Sequence, residues 1–75
     1  MKFGQLRNLV AKTDAISIML KSIGDVDQNY YFIAQVPDKY NDYEVIGFGS
    51  VTAVPVNGDV LSHGTEFYLD DTLDN

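Results

Sequence analysis

The spacing of apolar residues changes at Ala15, and this change does most to limit what the chain can become. Before it, Phe3, Leu6, Leu9 and Val10 recur every three or four residues, which predicts a short helix over 3–12 with one apolar stripe. Gly4 weakens that helix by roughly 1 kcal/mol relative to Ala, and Lys12 near its end complements the helix dipole. Thr13-Asp14 then breaks the pattern. From Ala15 the period is two: Ile16, Ile18 and Leu20 alternate with Ser17, Met19 and Lys21, as in a half-buried strand. A helix this short does not persist alone in water, so it must dock on the rest of the chain.

The remainder of the chain reads as more strands. Gly24 to Asn29 has turn chemistry, and Tyr30 to Val36 resumes as a strand with Phe32, Ala34 and Val36 on one face, predicting an antiparallel hairpin. Pro37 to Asp42 interrupts the pairing and suits a single helical turn. Glu44 to Val54 is a long strand candidate. Gly47 and Gly49 share its face with Val45 and Val51, predicting a bulge or a shallow groove that would receive the helix. Asn57-Gly58 between apolar residues predicts a two-residue hairpin turn, with Pro55 at an edge and Val60 to Ser62 returning. His63-Gly64 is a further turn. Glu66 to Asp70 is the last strand, with Phe67 and Leu69 inward, before an acidic tail over 70–75. The expected fold is a single α+β domain over 1–75: one N-terminal helix packed on an antiparallel sheet of four to five strands.

At 75 residues with no cysteine, the core stands near the lower size limit without disulfides or thiolate metal sites to help it. Self-association into a homodimer is a natural way to bury more surface. No secretory leader is apparent, because Lys2, Gln5, Arg7 and Asn8 interrupt the first ten residues. No apolar run approaches the ~20 residues that span a bilayer. The expectation is a cytoplasmic protein away from membranes.

The chemistry-bearing residues form no recognisable catalytic set. Asp25-Val26-Asp27-Gln28-Asn29 starts like a calcium loop, but Tyr30 stands where glycine is needed and Val36 where a bidentate Glu is needed. His63 is the lone histidine, and adjacent Ser62 would point to the opposite face of a strand. Gly47-Phe48-Gly49 lacks the third glycine and lysine of a phosphate loop. The carboxylate pairs Asp70/Asp71 and Asp42/Glu44 would need a pocket that shifts one pKa. No enzyme, metal or cofactor is expected.

Charge is divided along the chain. Residues 1–22 balance at +3 and residues 23–75 at −9, for a net −6. That disfavours direct nucleic-acid binding, which needs a basic stripe. It favours a partner protein with a basic surface. Lys2, Arg7 and Lys12 are expected to face solvent from the helix. Asp38, Tyr40, Asp42, Tyr43 and Glu44 make an acidic-aromatic loop suited to ion pairing and stacking against arginines, and Asp70 and Asp71 extend the acidic rim. The alternative reading of the two loop tyrosines is that they cover the sheet edge.

The leucine-patterned first helix, Thr13-Asp14 before an Ile-x-Ile strand, and the run Ile33-Ala34-Gln35-Val36-Pro37-Asp38-Lys39-Tyr40-Asn41-Asp42-Tyr43-Glu44-Val45-Ile46 resemble short uncharacterised phage and prophage proteins of Gram-positive bacteria. The resemblance covers residues 3–52. It implies an anti-CRISPR-like or other anti-defence inhibitor, occupying the basic surface of a nucleic-acid-handling host protein. The competing expectation is a self-associating structural or assembly protein, joined through the helix or an open sheet edge.

Overall fold

A computed structural model describes residues 1–72. Its elements are α1 (Phe3–Leu6), β1 (Ala15–Leu20), β2 (Asp25–Tyr30), β3 (Glu44–Val51), β4 (Val54–Val56), β5 (Asp59–Leu61) and β6 (Gly64–Asp70). Single 3₁₀ turns occupy Arg7–Leu9, Ile33–Gln35 and Asp38–Tyr40. The class is α+β, with one N-terminal helix on a four-stranded sheet and a separate two-stranded hairpin.

The sheet runs β2-β1-β6-β3. It is mixed where a wholly antiparallel sheet was expected, because the central strands β1 and β6 run parallel, with Ile18 opposite Phe67. Parallel neighbours need a long crossover, and here all of β2 to β5 lies within it. On one face Ile16, Ile18, Phe67 and Leu69 join Phe3, Ile33, Val36 and Tyr40 in the main core. The Phe3 and Phe67 rings meet edge to face, 5.0 Å between centroids. On the other face Ala15, Val54 and Val56 form a second cluster, backed by Tyr31, Val51 and Leu61. The β4–β5 hairpin turns at Asn57 (φ 51°) and Gly58 (φ 89°), the positive angles that an Asn-Gly turn supplies.

Several local expectations change. The helix is shorter than 3–12: it tightens after Leu6 and ends at Leu9, while Val10 is extended. Its length is set by docking, since Phe3 and Gly4 donate backbone hydrogen bonds to Tyr43 (2.9 Å) and Asn41 (3.0 Å). The expected turn at 24–29 is instead β2, reached through the tight turn 21–24, and the expected strand at 30–36 is a loop with a 3₁₀ turn. β2 is an edge strand with four exposed residues, so it can be polar. The apolar Ile33 and Val36 are needed in the core off the sheet.

β3 ends at Val51 rather than Val54. A bulge at Ile46 shifts its register, putting Val45 opposite Leu69 on the core face and Gly47 opposite Tyr68 on the other. Gly47 and Gly49 therefore face away from α1, and no helix lies in a groove over them.

Candidate functional site

The acidic residues expected to meet a partner are largely engaged within the chain. Tyr40 is 1% exposed and belongs to the core. Its hydroxyl donates to Asp27 Oδ2 (2.5 Å) and lies 3.3 Å from the Tyr30 hydroxyl. Asp27 is the extra residue of a bulge in β2, because Ile18 pairs with Gln28 and Met19 with Val26. The bulge re-aims its carboxylate at the tyrosine. Burial, then the bonds to Asp27 and Tyr30, push the Tyr40 hydroxyl well above the usual tyrosine range. Tyr43 is half-buried and packs edge-on against Tyr40. The folded chain thus presents neither ring as an open stacking platform.

Glu44 and Asp70 face each other across β3 and β6. Glu44 pairs with the Met1 ammonium at 2.8 Å. Asp70, expected where the last strand meets the acidic tail, is a buried strand residue that accepts from the Thr72 hydroxyl (2.6 Å) and N–H (3.0 Å), with Lys21 Nζ at 3.5 Å. Thr72, more than Lys21, holds its carboxyl below the usual range. Asp71 accepts the Ser22 hydroxyl and the Ser22 N–H (2.9 Å), and the hydroxyl bond lowers it most. The rest of the expected tail, Leu73, Asp74 and Asn75, lies outside the described residues. Asp38 and Asp42 are exposed.

Arg7 corrects the expectation of a solvent-facing basic helix. Its side chain is 13% exposed and reaches under the loop over 33–41. One guanidinium nitrogen donates to the Ile33 (3.0 Å) and Val36 (2.7 Å) carbonyls, the other to Asn41 Oδ1 (2.9 Å) and, at 3.4 Å, to Asp38. Its guanidinium carbon stands 5.5 Å from the Phe3 ring centre. Arg7 is a structural clamp.

Because the helix stops early, it leaves the β3 side of the sheet uncovered. A cleft of about 330 Å³ opens between Leu6, Leu9, Val10, Ala11 and Asp14 on one side and the strand residues Phe48, Thr65 and Phe67 on the other. A second of similar volume continues from Leu6 and Phe48 to Met1, Val45 and Ile46. Phe48 is 70% exposed and Leu9 79%, with Ile46 and Met1 also open. Phe48 rests on Phe67 with stacked rings 6.3 Å apart. Alongside this strip runs the outer edge of β3. Among the described residues it is paired only at its start, through the Lys2–Glu44 bridge and the Val45 N–H to Met1 carbonyl bond.

Comparison with protein-family models, curated proteins and solved structures finds no match.

Among the described residues no group of three or more His, Cys, Asp or Glu could hold a metal ion. No helix there is long and apolar enough to cross a membrane. Ser62 and His63 do not diverge as expected: they lie in a bend, with Ser62 Oγ 3.2 Å from His63 Nδ1. Both are exposed and line neither cleft. The β3 face was missed in the sequence, but it left a signal there. Val45 to Gly58 is the longest stretch without a charge, 14 residues in an otherwise acidic chain.

Proposed function

We propose that this chain is a non-catalytic interaction protein whose working surface is the apolar strip along β3 and α1. The carrying observation is Phe48, 70% exposed between two apolar clefts beside an unpaired strand edge. Edge strands are ordinarily blunted by charge, proline, cover or a bulge. This one has a bulge at Ile46, and among the described residues no charge, proline or pairing protects its outer side from Gly47 to Val51. A large exposed aromatic in a cleft is a natural anchor for a protein partner.

A second reading is favoured by the openness of Asp38, whose side chain is 94% exposed, together with exposed Asp42 and the net −6. On that reading the chain acts in the host cytoplasm as a phage-derived, anti-CRISPR-type inhibitor, covering a basic surface by presenting carboxylates. Affinity capture with the wild type, Phe48→Lys and the double variant Asp38→Asn/Asp42→Asn, at low and high salt, separates the two. Capture lost in Phe48→Lys and kept at high salt supports the apolar surface. Capture lost with salt and in the double variant, but kept in Phe48→Lys, overturns it in favour of the acidic one.

A further inference from the structure

We infer that the occupant of the β3 edge is a second copy of this chain, joined by antiparallel β3–β3′ pairing about Phe48. The inference rests on the apolar-surface reading and names its partner. Antiparallel pairing of one strand with itself is two-fold symmetric, so a single patch serves both copies.

The charge pattern selects this partner. Each copy carries −6, so two copies repel wherever their acidic surfaces approach. Val45 to Gly58 carries no charge at all. A pair centred on Phe48 sets Gly47 of one copy across from Gly49 of the other, within the uncharged stretch. Glu44, already bridged to Lys2 on that edge, lies outside the ladder, so no like charges face each other along it. Of the residues lining the two clefts, Asp14 alone carries a carboxylate, so the surface offers a basic partner little to attract it. An uncharged edge is best complemented by another uncharged edge.

The hydrophobic pattern agrees. Phe48 lies on the same sheet face as Phe67 and stacks on it. Continuing the sheet across the two-fold would bring the two Phe48 rings together and close each copy's cleft against the other's strand. A standard interface takes about 800 Å² from each partner, roughly one-sixth of the 4630 Å² surface of this chain. For a core this small, covering the exposed Phe48, Ile46 and Leu9 would bury apolar area that the fold leaves open.

Salt sets the sign that separates a self-pair from a basic partner. Screening weakens attraction between opposite charges, but it relieves repulsion between two acidic copies. Self-association should therefore tighten as salt rises.

Sedimentation velocity of the whole chain, from about 5 to about 500 µM, gives the test. The expected result is a species of twice the 8.4 kDa chain mass whose population grows between about 0.05 and about 0.5 M salt. Phe48→Lys and Ser50→Lys should each weaken it by at least about tenfold. Val60→Lys, at the exposed apolar site of the β4–β5 hairpin, should leave it unchanged. Circular dichroism of every variant checks that the fold survives. A dimer that persists in both β3 variants, or is lost only in Val60→Lys, overturns the β3 pairing. A wild type that stays monomeric throughout overturns the second copy as occupant. In that case an apolar dye bound by the wild type but not by Phe48→Lys leaves the interaction surface standing, and no dye binding overturns both.

Discussion

Removing the Arg7 guanidinium should cost this fold about 3 kcal/mol, and the cost should come from the carbonyls it clamps, not from its ion pair. Arg7 donates to the backbone oxygens of Ile33 and Val36, residues 9% and 2% exposed. A hydrogen bond from a charged donor contributes about 1.5–3 kcal/mol, and an acceptor left unpaired costs about 1–3. Because the loop lies near water, we take the lower end, about 1–1.5 kcal/mol for each carbonyl. Lost packing over the Phe3 ring, 5.5 Å away, adds about 0.5–1 kcal/mol. The Asp38 pair adds little, being long at 3.4 Å and on a carboxylate that is 94% exposed. With a urea m-value near 1 kcal/mol/M for a small domain, Arg7→Ala should lower the unfolding midpoint by about 3 M. Arg7→Lys should lose about half as much, because a single ammonium holding the two carbonyls cannot also reach Asn41 Oδ1 as the second guanidinium nitrogen does. Asp38→Asn should stay within about 0.5 kcal/mol of the wild type. An Arg7→Ala midpoint shift below about 0.5 M, or an Asp38→Asn cost equal to that of Arg7→Ala, would refute the clamp.

Three further outcomes are expected. The Tyr40 hydroxyl is raised above its unfolded value, so its contribution is intact below about pH 10 and is lost as pH rises further, by up to about 1.4 kcal/mol per pH unit; urea midpoints between about pH 9 and 11 should fall in the wild type and fall less steeply in Tyr40→Phe. Asp70 and Asp71 are lowered, so their contribution is present above about pH 4 and disappears as pH drops through their folded values. Acid titration followed by circular dichroism should show a shallower loss in Asp71→Asn. Gly64→Ala should destabilise by about 1–3 kcal/mol in thermal melts, because its new methyl would stand 2.5 Å from the Ala15 carbonyl oxygen, in the central parallel pair.

The parts of this fold that are legible in the sequence are those where local chemistry and tertiary role coincide. Ile16 and Ile18 alternate and are buried. Pro37 starts a single helical turn over Asp38–Tyr40, and Asn57-Gly58 turns a hairpin. The misread parts are those where tertiary context overrides the local signal. Asp25 to Tyr30 can be a strand despite its polarity, because it lies at an edge and pairs through backbone groups. Tyr40 sits in a polar stretch, and nothing nearby shows that its partner is a bulged Asp27. Arg7 looks like any helix-surface cation until the loop over 33–41 folds across it. For the candidate site, the charge-free stretch was visible, but the early end of the helix that uncovers Phe48 was not.

The parallel pairing of β1 with β6 also governs the order in which the structure can be completed. Ile18 must find Phe67, 49 positions further along, and neither central strand has its full set of neighbours before then. Closing so long a loop costs entropy before any contact repays it, which places the chain among the slower-folding small domains, on a millisecond-to-second scale. Until β6 arrives, β1 has β2 on one side and an open ladder on the other. Any helper that shields Ala15 to Leu20 during synthesis would therefore raise the yield of native protein without altering its final stability.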